Sequence, residues 1–220
     1  MALQIDVISD VVCPWCFIGQ KKLARALALY REQNPAAEAP MVAWHPFQLN
    51  PGLPESGVDR AEYLKRKFGE RSGDIYARVS AVGAQVGIPF AFDKVVRQPN
   101  TLAAHSLIAL AGDAGRQDAV VEALFHAYFI EGRDLTSSET LVEIACGAGL
   151  AREEVEQCLA SAQARAHIQE EDEEARRLGV DGVPFFIFNR RYSLSGAQDP
   201  ETLLETMLKA ESEAQPANGA

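Results

Sequence analysis

The chain is poor in the side chains from which metal centres are made, with 4 cysteines and 4 histidines among 220 residues. Only Cys13 and Cys16 are closely spaced; Cys146 and Cys158 stand twelve residues apart, and no histidine neighbours Cys13. A four-cysteine zinc site needs a second close pair, so no metal is expected. Apolar runs are short too, and none approaches the ~20 residues of a membrane-spanning helix. The start, Met1-Ala2-Leu3-Gln4-Ile5-Asp6-Val7, has neither the basic opening nor the long apolar stretch of a secretory leader. A cytoplasmic location is therefore expected, where disulfides are usually catalytic or transient. Clustered positive charge is also missing. The formal net charge is −10, which argues against a nucleic-acid partner, and the basic stretch from Arg60 to Arg71 is interleaved with glutamates and reads as a solvated helix face. No internal repeat is visible. An apolar content of 47% with 24% charged residues argues against global disorder and allows one substantial core.

Against this background stands the run Cys13-Pro14-Trp15-Cys16, placed after an apolar start and directly before a helical pattern. Two thiols at this spacing, at the N-terminus of a helix that follows a strand, suit dithiol–disulfide exchange. Exchange needs a reachable sulfur held as thiolate, and free amides at the positive end of a helix dipole favour that state. Cys13 is the candidate nucleophile and is expected to be exposed. Pro14 fits the first helical position, where a missing N–H costs nothing. Cys16, one turn along and less exposed, is the candidate resolving thiol. An inert, merely packed pair is the competing reading. Cys146 and Cys158 read as small buried residues, although Gly147 and Gly149 could bend the chain enough to make them a second redox pair.

Strand-like alternation covers Leu3 to Ser9, a helix runs from Pro14 to about Gln33, and Met41 to Phe47 is the next strand, a β-α-β opening suited to a parallel pair. At the other end, Phe185 to Phe188 and Arg191 to Leu194 read as strands around a tight turn at Asn189-Arg190, followed by a helix from Pro200 to Ala210. Between them lie about 130 helical residues, too many for a loop. Helices are expected near Asp59–Phe68, Ser72–Val86, Leu102–Ala114, Gln117–Ile130, Ser137–Cys146, Arg152–Leu159 and Ala162–Leu178. Thr136 with Glu139 forms a capping-box pattern, and Gly179 is placed to end the last of these helices. The acidic run Glu170 to Glu174 reads as a solvated face.

The expected architecture is α/β: a thioredoxin fold with a large all-helical insertion domain. Residues 1–51 and 179–210 would form the discontinuous thioredoxin-fold domain, 52–178 the insertion, and 211–220 a disordered tail. At this point the chain resembles the DsbA family of thiol–disulfide oxidoreductases, and within it the FrnE-like branch. The resemblance is carried by Ser9-Asp10-Val11-Val12-Cys13-Pro14-Trp15-Cys16-Phe17-Ile18-Gly19, Pro46-Phe47-Gln48-Leu49-Asn50-Pro51, Gln98-Pro99-Asn100-Thr101-Leu102-Ala103-Ala104-His105 and Gly182-Val183-Pro184-Phe185. It implies that Cys13 attacks, Cys16 resolves, and Pro184 is a cis-proline packed against the sulfurs, with Val183, Pro14 and Trp15 facing substrate. Trp15 replaces the histidine of strongly oxidising members, which speaks against a highly oxidising couple.

Asn100 and His105 fall in a block resembling the family's substrate-facing helix, though each also reads as a helix cap or a satisfied core histidine. Asp10 is a candidate to assist proton transfer from Cys16, and His45 reads as packing. The substrates implied are protein or low-molecular-weight disulfides. No metal or organic cofactor is needed, since the cysteines carry the electrons, and glutathione is a candidate co-substrate; a homodimer is left open. The alternative reading is a glutathione-dependent transferase or isomerase of the kappa and 2-hydroxychromene-2-carboxylate type, whose members generally work with a serine in place of the redox pair. A chaperone-like binding module is a third.

Overall fold

The computed structural model describes residues 2–213. Alternation of apolar and polar residues makes β1 (Gln4–Ser9) a strand with Ile5 and Val7 fully buried on one face. It pairs in parallel with β2 (Met41–Pro46), Gln4 opposite Met41 and Ser9 opposite Pro46. Parallel neighbours require a crossover, which α1 (Pro14–Gln33) supplies. On its other side β1 pairs antiparallel with β5 (Phe185–Phe188), which turns through Asn189 and Arg190, both at positive φ, into β6 (Tyr192–Ser195). The sheet order is therefore β2-β1-β5-β6.

Both sheet faces are covered. Ile5, Val7, Phe186 and Phe188 pack with Leu23, Ala26 and Tyr30 of α1 and with Leu203, Met207 and Ala210 of α9 (Pro200–Ser212). Ile8, Phe47, Phe185 and Ile187 meet Ala175 of α8 (Ala162–Arg177) and Val180 on the opposite face. Between the halves come β3 (Val58–Asp59), α2 (Arg60–Phe68), α3 (Ser72–Gln85), β4 (Arg97–Gln98), α4 (Leu102–Asp113), α5 (Gln117–His126), α6 (Ser138–Gly147) and α7 (Arg152–Ala160). This is the thioredoxin-like fold with a helical insertion that the sequence suggests. An aromatic cluster joins the insertion to α1: Phe17 stacks on Phe125 at 5.1 Å between ring centres and meets Phe90 edge-on at 6.0 Å.

Several local expectations change. The cap of α6 is Ser137, whose hydroxyl accepts from the Thr140 amide, while Thr136 bonds to Asp134 instead. Gly179 does end α8: at φ 88° it allows Val180 N–H to reach Ala175 O and its own N–H to reach Arg176 O. Asp172, within the acidic run read as solvated, is buried and accepts from the Gln48 amide and from Arg176. The supposed tail is helical through Ser212, because Leu208 and Ala210 still pack on the core; residues 214–220 lie outside the described residues. The ribbon formed by β3 and β4 leaves no mark in the sequence, since two residues carry no periodicity.

Gly19 fixes the distance between α1 and the loop before β5. A Cβ there would lie 3.0 Å from Pro184 Cγ and 3.2 Å from Phe186 Cζ. Gly19→Val, which must displace both, is expected to cost about 1–3 kcal/mol of stability by overpacking; a denaturant midpoint unchanged from the parent would refute this close fit.

Candidate active site

Cys13 is the N-cap of α1 in extended conformation, with Pro14 opening the helix, so the positive end of the helix dipole falls on its sulfur. Its Sγ donates to Val183 O at 3.5 Å, across 170 positions of sequence. The Val183–Pro184 bond is cis, as the resemblance implies. Pro184 is buried, while Pro14, Trp15 and Val183 are half-buried around the sulfur. Cys13 itself is not exposed as expected: it is 5% accessible, because its thiol turns toward the Val183 loop and away from water.

Cys16 is 1% accessible. Burial, and then the hydrogen bond and charge of Cys13, push its thiol well above the ordinary range; the Asp10 backbone and the Ser9 hydroxyl pull in the other direction. Asp10 is fully buried three residues before Cys13, and its carboxylate accepts from the Leu49 amide at 2.8 Å and meets His105 Nε2 at 3.3 Å. The histidine is thus brought to the cysteine end of β1. Asn100 is not: its side chain accepts from the Leu102 amide and from Gln48, and donates to Leu53 O, tying the 48–53 loop to the start of α4. His45 bonds Asp6 at 3.0 Å on the sheet. Cys146 and Cys158 are free thiols, and Cys158 donates to Ser106 O at 3.5 Å.

Arg60, read from sequence as part of a solvated face, is instead 5% accessible and bonds Gln98 and the Tyr76 hydroxyl. Its burial had no signal in the local pattern; the partner Gln98 reaches it only through the β3–β4 ribbon.

A family model, the DSBA-like thioredoxin domain, matches residues 4–208. The chain belongs to this family. Among solved structures, the DSBA-like chain is similar to a probable DsbA oxidoreductase, SCO1869 from Streptomyces coelicolor, at 30% identity, with 99% of this chain and 94% of that one covered and a TM-score of 0.86. The cytosolic disulfide reductase DsbM from Pseudomonas aeruginosa, determined with GSH, is 22% identical over 94% and 99% of the two chains, with a TM-score of 0.67. A 2-hydroxychromene-2-carboxylate isomerase is 15% identical over 97% and 100%, with a TM-score of 0.66. The last two share the fold. No helix among the described residues is long and apolar enough to cross a membrane.

The displaced Cys16 thiol has a stability consequence. It stays protonated in the folded, reduced protein, whereas in the unfolded chain it ionises near pH 8.5. Its contribution is therefore complete below that pH and is lost as pH rises toward the folded value, by up to roughly 1.4 kcal/mol per pH unit. Unfolding curves of reduced protein between pH 8 and 10 should show a steeper decline than those of Cys16→Ala; equal slopes would contradict the burial effect. The second pair of cysteines supports a separate expectation. Replacing both Cys146 and Cys158 with alanine should lower the denaturation midpoint while leaving the rate at which Cys13 reacts with a small disulfide within about twofold, and loss of most of that rate in the folded variant would instead reveal a relay.

Proposed function

We propose that the protein is a thiol–disulfide oxidoreductase or disulfide isomerase in which Cys13 attacks and Cys16 resolves. The observation that carries this reading is the Cys13 sulfur, held at the N-terminus of α1 and facing Val183 O at 3.5 Å, with Cys16 one turn behind it. Attack of the Cys13 thiolate on R–S–S–R′ forms Cys13–S–S–R and releases R′S⁻. Cys16, once deprotonated, attacks the Cys13 sulfur; RS⁻ leaves, and the Cys13–Cys16 disulfide remains. Two electrons pass to the substrate, whose two sulfurs take up the protons.

Because burial keeps Cys16 protonated, the second step needs a base. Asp10, whose backbone bonds that thiol and whose buried carboxylate lies against His105, is the candidate to take up the proton. Pro14, Trp15 and Val183 form the rim against which a substrate disulfide docks, with Pro184 beneath it. Asn100 supports this rim indirectly by holding the 48–53 loop. The cysteine pair itself carries the electrons, and glutathione is proposed as a co-substrate, in keeping with the DsbM structure that contains GSH. We place the protein in the cytoplasm, acting on protein or small disulfides.

Cys16→Ser decides the reading. It should halt the cycle after the first step and accumulate covalent adducts through Cys13, visible on non-reducing gels and identifiable by mass spectrometry. Absence of adducts, together with glutathione-dependent transferase or isomerase activity that survives Cys13→Ser, would replace the redox assignment with the isomerase reading.

A further inference from the structure

The Val183–Pro184 loop is held from two levels of α1. Gly19 meets it directly, since any Cβ there would press on Pro184. Lys22, three residues on and therefore on the same face of the helix, meets it at one remove. Its Nζ donates to Ala197 O at 3.0 Å and to the Asp199 carboxylate at 2.6 Å, in the connection between β6 and α9. The start of that connection is bonded to the loop, because Gly196 N–H donates to Pro184 O at 2.8 Å. Gly196 sits at φ 81°, which a residue with a side chain rarely adopts. Gln198 closes the turn on itself, its backbone amide donating to Gly196 O at 2.9 Å and its side chain to Ser195 O at 2.7 Å.

Two features set this contact apart from an ordinary surface ion pair. The Lys22 side chain is 13% accessible, so solvent screens its bonds less than those of fully exposed lysines. Asp199 is the N-cap of α9, the position whose carboxylate normally accepts from the first amides of its own helix. It makes no such bond and turns to Lys22 instead. The helix forgoes its side-chain cap, and α1 gains a hold on the connection that carries Gly196. A local preference set aside in this way marks a residue engaged elsewhere in the structure.

We propose that Lys22 is a positioning residue for polypeptide substrates: by bracing the β6–α9 connection it sets, through the Gly196–Pro184 bond, where the Val183–Pro184 backbone stands beside the Cys13 sulfur. This rests on the oxidoreductase reading and adds a determinant of substrate class to the same site. The Cys13 sulfur lies 3.5 Å from Val183 O, so a chain joined to that sulfur must run past this backbone. A polypeptide has main chain to lay there, and its docking depends on the height of the loop. A small disulfide has none. In the step concerned, the Cys13 thiolate attacks R–S–S–R′, the Cys13–S–S–R bond forms, the substrate S–S bond breaks, and R′S⁻ leaves with its electron pair.

The test uses the whole protein carrying Cys16→Ser, so that the first step is read alone, with and without Lys22→Met. Second-order rate constants for adduct formation are measured with a disulfide-bonded peptide and with 2-hydroxyethyl disulfide. The ratio of the peptide rate to the small-disulfide rate should fall about tenfold in Lys22→Met, as expected when a docking edge is slightly misplaced. Loss of a charge-assisted hydrogen bond should also ease local opening, so the Gly196 amide should exchange with deuterium about tenfold faster while that of Met207, in the middle of α9, stays as in the parent. Asp199→Ala should move both readings in the same direction by more than about twofold, and it decides alone if circular dichroism shows that Lys22→Met does not fold. A ratio or a Gly196 exchange rate within about twofold of the parent overturns the proposal. So does an equal fall in both rate constants, or equal acceleration at Met207, either of which would mark general loosening. A parent that reacts with neither disulfide would overturn the oxidoreductase reading instead, and exchange at Gly196 would still decide whether Lys22 braces the loop.

Discussion

The contact on which the molecule depends is the approach of the first turn of α1 to the Val183–Pro184 loop. It joins the two ends of the chain, and it exists because β1 pairs on one side with the strand that follows α1 and on the other with the strand that follows Pro184. Backbone pairing brings the segments together, and the missing side chain at Gly19 lets them close the last ångström. The Cys13 thiol then finds a carbonyl, and the sulfur is aimed by main chain on both sides. Main-chain placement is more rigid than placement by a long side chain, which suits a site whose chemistry needs sulfur atoms in line.

Beneath this surface three sets of buried polar contacts tie down one segment. Asp10 meets His105 and the Leu49 amide; Asp172 and Arg176 hold both the amide and the carbonyl of Gln48; Asn100 spans from α4 to Leu53. All three lead to the segment 48–53, which leaves β2 next to the cysteines. A buried carboxylate without a partner would destabilise the fold, so each fixes this segment by needing it. Arg176 also covers the Phe47 ring at 4.1 Å, which closes the apolar patch under α8.

The outline of this arrangement was readable because its signals are local. Alternation marks β1, the Pro14 position marks the start of α1, and Gly179 marks the end of α8; all three depend on residues within a turn of one another. What escaped was the partner of each buried charge. Arg60 and Asp172 lie in runs whose composition says solvent, and only Gln98, 38 positions away, and Gln48, 124 positions away, draw them inward. The shelter of Cys13 is hidden for the same reason, since the carbonyl it faces is 170 positions away in sequence. Thr136 failed as a cap by a single residue, because Asp134 captured its hydroxyl and left Ser137 to meet the helix.

The aromatic seam around Phe17 bears on how such a chain can be shortened. Phe17 is almost completely enclosed, and the rings that enclose it, Phe90, Phe125 and Phe129, all belong to the segment between the two halves of the sheet. Excising the helical segment between the two halves of the sheet to obtain a smaller thioredoxin-like module would bare an aromatic face one residue from Cys16, where bare apolar surface invites self-association. A miniaturised version would therefore need a polar residue at Phe17, and that change would come at the helix turn that holds Cys16.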